Sequence, residues 1–289
     1  MSYAPHQALI EPARKQPALW RLIAGVGLIA AVYILLVVAW TGISIARDQT
    51  PMLANTQGAT PQSALALLAS FLCVFPGLIL ALWVLHRRRF RSLFGPWRHS
   101  LDLGLRVIPA GIAILLLGLA LPGADLGDVL VNLPFSVWLS WLAPAILALA
   151  VQVTAEEVLF RGYLQSQLAA RFQHPLIWLL LPSLIFAALH YSPAEAGANA
   201  PWMVLPAFAF GLLAADLTAR SGTLGPAIAL HFINNFAAIL ILAPGTALNG
   251  LALYRLPVEM SDPALRDQIT VELGLMLLLW LAARLAIRR

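Results

Sequence analysis

The fold is decided by an apolar stretch near the start of the chain, which reads LWRLIAGVGLIAAVYILLVVAWTGISIA over residues 19–46. Arg21 is the only charged residue in it. A helix needs about 20 apolar residues to cross the hydrocarbon core of a bilayer. The stretch is too long for the apolar part of a cleaved signal peptide, and a polar segment with Arg14 and Lys15 precedes it. It therefore predicts a first membrane-spanning helix.

The composition of the whole chain also indicates a membrane environment. Of its 289 residues, 61% are hydrophobic and 11% are charged, whereas soluble domains carry about 25% charged residues. Seven more apolar runs follow, at residues 63–85, 103–121, 134–155, 175–190, 201–218, 223–243 and 268–287. We expect an all-α, polytopic membrane helix bundle of about eight transmembrane helices. It should form one continuous membrane domain, with N-terminal helices in residues 1–130 and the remaining helices in residues 131–289.

The arginines predict the orientation of the chain in the membrane. They account for almost all of the positive charge and lie between the apolar runs, so we expect the lipid bilayer as a partner and no nucleic acid. The densest group should face the cytoplasm: Arg87, Arg88, Arg89, Arg91 and Arg98. Both termini are then predicted inside the cell and the loop with Asp125 and Asp128 outside. The arginine-, alanine- and leucine-rich composition indicates a bacterial inner membrane.

Ionisable residues inside apolar runs are costly and indicate function. Two adjacent acids, Glu156 and Glu157, follow the fourth run. Glu157 and Arg161 are four residues apart, so they share one helical face and should form an ion pair. Glu156 points about 100° away and has no such partner. In a low-dielectric cavity that free carboxylate would be a candidate general base. The alternative is a helix end at the water interface, with both acids solvated.

Two histidines and an asparagine are also flanked by apolar residues. His190 ends Phe186-x-x-x-His190, and His231 begins His231-x-x-x-Asn235, in which both named side chains share a helical face. Asn234 borders that face and could replace Asn235. A lone histidine of this kind is commonly a core residue bonded to a carbonyl. A turn is expected near residues 172–175. Along their helices, Glu156 and His190 each lie roughly 25 Å from that turn. If the two helices form a hairpin, the two side chains are at the same height.

Several hydrolytic mechanisms lack their sequence signature. The chain has no G-x-S-x-G, no H-E-x-x-H and no paired aspartates in its helices. Two geometries remain open. Glu156, His190 and His231 could bind a divalent metal such as zinc, with a position left for water. Alternatively, no metal is used: Glu156 and His190 activate water, and His231 and Asn235 stabilise the oxyanion.

Three motifs on successive helices carry a family resemblance: Glu156-Glu157-x-x-x-Arg161, Phe186-x-x-x-His190 and His231-x-x-x-Asn235. Together they resemble the CAAX-protease and bacteriocin-processing family, the Abi-type relatives of the Ras-converting enzyme. The resemblance covers roughly residues 135–245. It implies an intramembrane endopeptidase whose site opens to the cytosol, with either a metal-dependent or a glutamate mechanism. The implied catalytic residues are Glu156, His190, His231 and Asn235, and the implied supporting residues are Glu157, Arg161 and Phe186.

The resemblance does not supply the substrate. We expect a membrane-associated peptide or protein. The alternative function is that of a non-catalytic membrane regulator or a bacteriocin-immunity protein of the same family. A small transporter that uses Glu156 and the histidines as a proton relay is a third reading, and the lack of two similar halves argues against it.

Overall fold

The computed structural model describes residues 3–46, 58–120, 129–243, 245 and 248–288. The loop with Asp125 and Asp128 falls outside these ranges, so its predicted side of the membrane stays a prediction. The described residues are overwhelmingly helical. The nine helices labelled here are α1 Gln7–Ala13, α2 Leu19–Ala46, α3 Pro61–His86, α4 Trp97–Ala120, α5 Phe135–Arg171, α6 Pro175–Ala188, α7 Ala200–Ser221, α8 Gly225–Ile241 and α9 Leu265–Ala286.

Each of the eight predicted apolar runs forms one of these helices, which confirms the all-α, polytopic bundle. Six helices of the described chain are long and apolar enough to cross a membrane, while α6 and α8 are shorter apolar helices. Three helices contain π-helical turns, at Leu82–His86, Val158–Gln165 and Phe236–Ile241. Short helical turns lie at Ala4–His6, Phe90–Leu93, Pro193–Ala196 and Gly197–Asn199.

Helix α5, which corresponds to the fourth apolar run, differs most from its predicted bounds. The apolar run ends at residue 155, but α5 continues to Arg171. The arginines and glutamines of this extension are typical of a helix end that lies in water. Instead Arg161, Gln165 and Gln167 are buried. Helix α1 packs on the end of α5 and covers it. The Gln165 amide also donates to the carbonyl of Ala215 on α7, at 3.0 Å.

A small sheet lies at the opposite end of α5. Its three strands are β1 Leu130–Val131, β2 Leu242–Ala243 and β3 Tyr254–Arg255, in the order β1-β3-β2. Strand β1 is antiparallel to β3, and β2 is parallel to it. The sheet joins the start of α5 to the end of α8. Nearby, the indole of Trp138 donates to the carbonyl of Leu240 at 2.8 Å. These contacts fix α8 lengthwise against α5.

Helices α5 to α8 surround the residues named by the sequence motifs. Helix α8 packs against α4, α5 and α7, and α6 packs against α7 and the π-helical part of α5. The turns between them lie where the sequence places them, between Arg171 and Pro175 and between Ser221 and Gly225. At the second turn Gly222 adopts a left-handed conformation, with φ of +68°, and caps α7.

Candidate active site

Glu157 is the centre of the buried polar network. Its side chain has no exposed surface, and one oxygen, Oε1, accepts two hydrogen bonds. The Arg161 guanidinium donates the first at 2.9 Å, which is the predicted pair across one helical turn. His231 on α8 makes the second through Nδ1, at 2.8 Å. Glu157 therefore fixes both the position of the His231 ring and the hydrogen on its Nδ1 atom.

Arg161 is held in an aromatic cage. Its side chain is 1% exposed, and the guanidinium carbon lies 5.8, 4.8 and 5.5 Å from the ring centres of Phe160, Phe186 and Phe210. The guanidinium also donates to the carbonyl of Gly211 at 3.3 Å. Ring faces attract cations when water is excluded. The cage therefore stabilises a charge that the apolar interior would otherwise disfavour.

Glu156 lies on the other side of the His231 ring. Its Oε2 atom is 3.5 Å from His231 Nε2 and is buried without a hydrogen-bond partner among the described residues. This separation is longer than a usual hydrogen bond, so the two atoms face each other without being hydrogen-bonded. Glu156 is thus unpaired within its own helix, as predicted, but faces His231 across the helix interface. One imidazole separates the two acids.

Two acidic and two basic side chains thus lie together in an apolar interior. Glu157 contacts both Arg161 and His231, and Glu156 faces His231 from the other side. Placing acids beside bases offsets the cost of burying each charged group alone. A carboxylate and an imidazole side by side are also the groups that acid–base catalysis uses.

His190 is not joined to Glu156. Its ring is exposed, and Nδ1 is hydrogen-bonded to the carbonyl of Phe186 one turn earlier, at 2.9 Å. No hydrogen bond or ion pair between His190 and Glu156 occurs in the part of the chain that the structure describes. The buried Phe186 ring contacts both histidines instead, with centroid distances of 4.6 Å to His190 and 6.2 Å to His231.

The predicted metal ligands therefore do not come together. In the described ranges no group of three or more His, Cys, Asp and Glu side chains could hold a metal ion. Glu156 and His231 face each other, but no hydrogen bond or ion pair joins His190, the third possible ligand, to either of them in the described ranges. The described side chains therefore do not fit a metal held by these three ligands.

Asn235 lies one turn from His231 and faces α5. Its Nδ2 donates to Oε1 of Gln152 at 3.2 Å, and its Oδ1 accepts from Nδ2 of Asn234, also at 3.2 Å. Asn234 is therefore a neighbour of Asn235 rather than its replacement. Sequence reasoning did not single out Gln152. The available signal was an amide inside an apolar run, one helical turn before Glu156.

A second polar cluster lies at the far end of α5. The Arg88 guanidinium donates to Ser166 at 2.8 Å and to the carbonyl of Leu9 at 3.1 Å, and burial lowers the pKa of Arg88 to about 10. His86 is hydrogen-bonded to Tyr163 at 2.8 Å. His86 directly precedes the arginine group, a position typical of a solvated interface. Instead His86 and Arg88 are buried, while Arg87 and Arg89 beside them are exposed.

The N-terminal segment is tied to the same end of the bundle. The Asp216 carboxylate accepts hydrogen bonds from Tyr3 at 2.8 Å, from Arg220 at 2.8 Å and from Trp280 at 3.1 Å. The bond from Arg220 is the ion pair that the four-residue spacing predicts. His6 is fully buried beside the ring of Trp178, and burial lowers its pKa to about 4.

These helices define a polytopic helical membrane protein. Residues 135–237 match the family described as type II CAAX prenyl endopeptidase Rce1-like. This match confirms the resemblance inferred from the three motifs, all of which lie inside the matched segment. A curated protein of Bacillus subtilis (strain 168), the uncharacterized protein YyaK, is 23% identical over 210 residues, covering 71% of this chain and 70% of its own. No solved structure matches the chain.

Proposed function

We propose that this chain is an intramembrane endopeptidase in which Glu156 activates water. The observation that carries the proposal is the buried Oε2 atom of Glu156, which has no hydrogen-bond partner among the described residues and faces His231. An unpartnered carboxylate oxygen is free to accept a proton from water. Glu157 holds His231 in place on the other side. The Rce1-like match supports a membrane peptidase at the level of the family.

The proposed reaction begins with a water molecule hydrogen-bonded to Glu156. Glu156 takes one proton, and the hydroxide forms a bond to the carbonyl carbon of the peptide. The carbonyl oxygen becomes an oxyanion, which accepts hydrogen bonds from His231 Nε2–H and Asn235 Nδ2–H. The carbon–nitrogen bond then breaks, and Glu156 returns its proton to the leaving amine. No net charge is created in the apolar interior at any step.

We also propose a catalytic role for His190. Its Nε2 atom is not used by the backbone contact, and its ring shares Phe186 with His231. Because no direct contact joins His190 to Glu156 among the described residues, the two side chains would act together through a water molecule held between them. The second candidate function, a non-catalytic regulator or immunity protein that uses the same fold, does not need such a bridge.

The proposed substrate is a membrane-associated peptide or protein, because the site lies within helices that span lipid. We also propose a bacterial inner membrane and an orientation with both termini in the cytoplasm. The N-terminal segment, Arg88 and Arg220 all lie at one end of the bundle, which supports a shared cytoplasmic side.

The test compares peptides in membranes that contain the wild-type chain or the Glu156→Gln variant. We expect peptides that depend on the wild-type chain to disappear with Glu156→Gln. Glu272→Gln is the matched control, because Glu272 is an exposed glutamate on another apolar helix. Identical peptide sets for wild-type and Glu156→Gln would refute the peptidase and favour the non-catalytic alternative.

Metal content of the purified chain tests the choice of mechanism. The geometry predicts no tightly bound metal that depends on Glu156. One equivalent of zinc in the wild-type chain, lost together with activity in Glu156→Gln, would establish the metal-dependent route instead.

A further inference from the structure

Two cross-links join α5 to α8 at the candidate site. Gln152 and Glu156 lie one turn apart on α5, while His231 and Asn235 lie one turn apart on α8. Glu156 Oε2 faces His231 Nε2 at 3.5 Å, and Gln152 Oε1 accepts from Asn235 Nδ2 at 3.2 Å. Matched four-residue spacings on the two helices thus place an amide pair directly beside the acid–histidine pair.

Gln152 lies in an apolar environment. The residue is 7% exposed, and the residues one helical turn away include the buried Ala148, Leu149 and Ala155. Burying an amide without a hydrogen bond costs about 1–3 kcal/mol in proteins. The bond to Asn235 offsets this cost but does not explain why a polar residue occupies the position, since an apolar side chain would avoid the cost altogether. A role in the site does explain it.

The orientation of the Asn235 amide is set by its two partners. Asn234 donates to Oδ1, and Gln152 accepts one of the two Nδ2 hydrogens. The plane of the amide is then fixed, and its second Nδ2 hydrogen remains available as a donor. Without Gln152, the contact from Asn234 alone restrains the amide, which can then turn by 180° for part of the time and present its oxygen to the site. An oxygen there would repel an oxyanion rather than stabilise it.

We propose that Gln152 is a positioning residue that aims the Nδ2–H of Asn235 at the oxyanion; this rests on the proposed peptidase function. Gln152 acts through Asn235 and does not itself touch the reacting atoms. Loss of an oxyanion donor typically lowers kcat by 10²–10³-fold. Because a misdirected Asn235 is in the correct orientation part of the time, we expect a smaller loss for Gln152, about 10-fold.

The test uses the full chain in nanodiscs and a fluorogenic peptide built on the cleavage site found by the peptide comparison. Gln152→Met removes the acceptor at similar volume and should lower kcat about 10-fold, with KM unchanged. Gln165→Met is the matched control, because Gln165 is a buried glutamine on the same helix that bonds to the Ala215 carbonyl, away from Asn235. Gln165→Met should lower stability but leave kcat close to that of the wild type.

Combining Gln152→Met with Asn235→Ala shows whether Gln152 affects kcat through Asn235 or independently of it. If Gln152 acts through Asn235, Gln152→Met should lower kcat no further once Asn235→Ala is present. Multiplicative losses would overturn the proposal, and so would an equal loss in Gln165→Met.

A measurement without substrate separates this proposal from the peptidase itself. In protein labelled with ¹⁵N-asparagine, the Asn235 side-chain signals are identified by their loss in Asn235→Ala. They should shift in Gln152→Met and stay in place in Gln165→Met. If Glu156→Gln and Asn235→Ala cleave like the wild type, the proposed function fails. Unshifted Asn235 signals in Gln152→Met would refute the positioning role whether or not any peptide is cleaved.

Discussion

Glu156 and Glu157 are adjacent in sequence, but their replacement by glutamine should have opposite consequences. In Glu157→Gln, the carboxylate that compensates Arg161 is removed. Arg161 is 1% exposed and cannot reach water. Breaking a buried ion pair by removing one partner costs about 3–5 kcal/mol. The aromatic cage and the amide oxygen of the new glutamine offset part of this cost, so we expect a loss of about 3 kcal/mol in the free energy of unfolding.

In Glu156→Gln, little stability should be lost. Glu156 Oε2 has no hydrogen bond to any described residue, and its neighbour across the helix interface is His231 Nε2 at 3.5 Å. Replacing an unpartnered oxygen by an amide should change the free energy of unfolding by less than about 1 kcal/mol. Its activity should nevertheless vanish, because an amide cannot accept the proton from water.

Thermal unfolding in detergent, followed by the fluorescence of the nine tryptophans, measures this contrast. A loss of 3 kcal/mol corresponds to a decrease in Tm of roughly 6–12 °C for a chain of this size. Glu157→Gln should show that decrease, and Glu156→Gln should melt within about 3 °C of the wild type. Equal melting temperatures for the two variants, or a larger decrease for Glu156→Gln, would refute the assignment of the structural role to Glu157.

Two further predictions concern the N-terminal segment. Burial lowers the pKa of His6 from its ordinary 6.5 to about 4, so attachment of the segment is most stable above pH 6.5 and should lose about 3 kcal/mol as the pH falls towards 4. The fluorescence of Trp178 reports the release, and His6→Phe should abolish this pH dependence. Gly222→Ala places a methyl group at a positive φ and against the Pro5 carbonyl, so it should weaken attachment by about 1–2 kcal/mol or more. Faster trypsin cleavage near the segment would show this, whereas Gly274→Ala, with open space around its Cβ, should have no such effect.

Much of the fold can be predicted from the sequence, because a chain segment that crosses lipid must satisfy its backbone hydrogen bonds internally and so forms a helix. Apolar runs of membrane-spanning length become helices, and residues four apart on one helix meet, as Glu157 and Arg161 do. Contacts of this kind depend on one helix alone. The burial of the end of α5 could not be predicted in the same way. Ser166 is hydrogen-bonded to Arg88, and Gln165 is hydrogen-bonded to Ala215. Both partners lie far away in the sequence.

The arrangement of the candidate site was only partly predictable. Counting residues from a turn gives the height of a side chain but not its direction around the helix axis. Glu156 and His190 can therefore be level, yet His190 bonds to the Phe186 carbonyl instead of reaching Glu156. The same limit hid the contact between Gln152 and Asn235. The N-terminal helix was missed because a helix of seven residues is marginal without tertiary contacts.

The hydrogen bonds of Asp216 affect how this chain can be divided into fragments. It lies inside the segment that matches the Rce1-like family, but two of its three hydrogen-bond donors, Tyr3 and Trp280, lie near opposite ends of the polypeptide. Excising residues 135–237 as a minimal unit would leave this carboxylate without those donors and would uncover the end of α5. The family segment is thus not an autonomous module, and homologous segments should be exchanged between relatives together with both flanking regions.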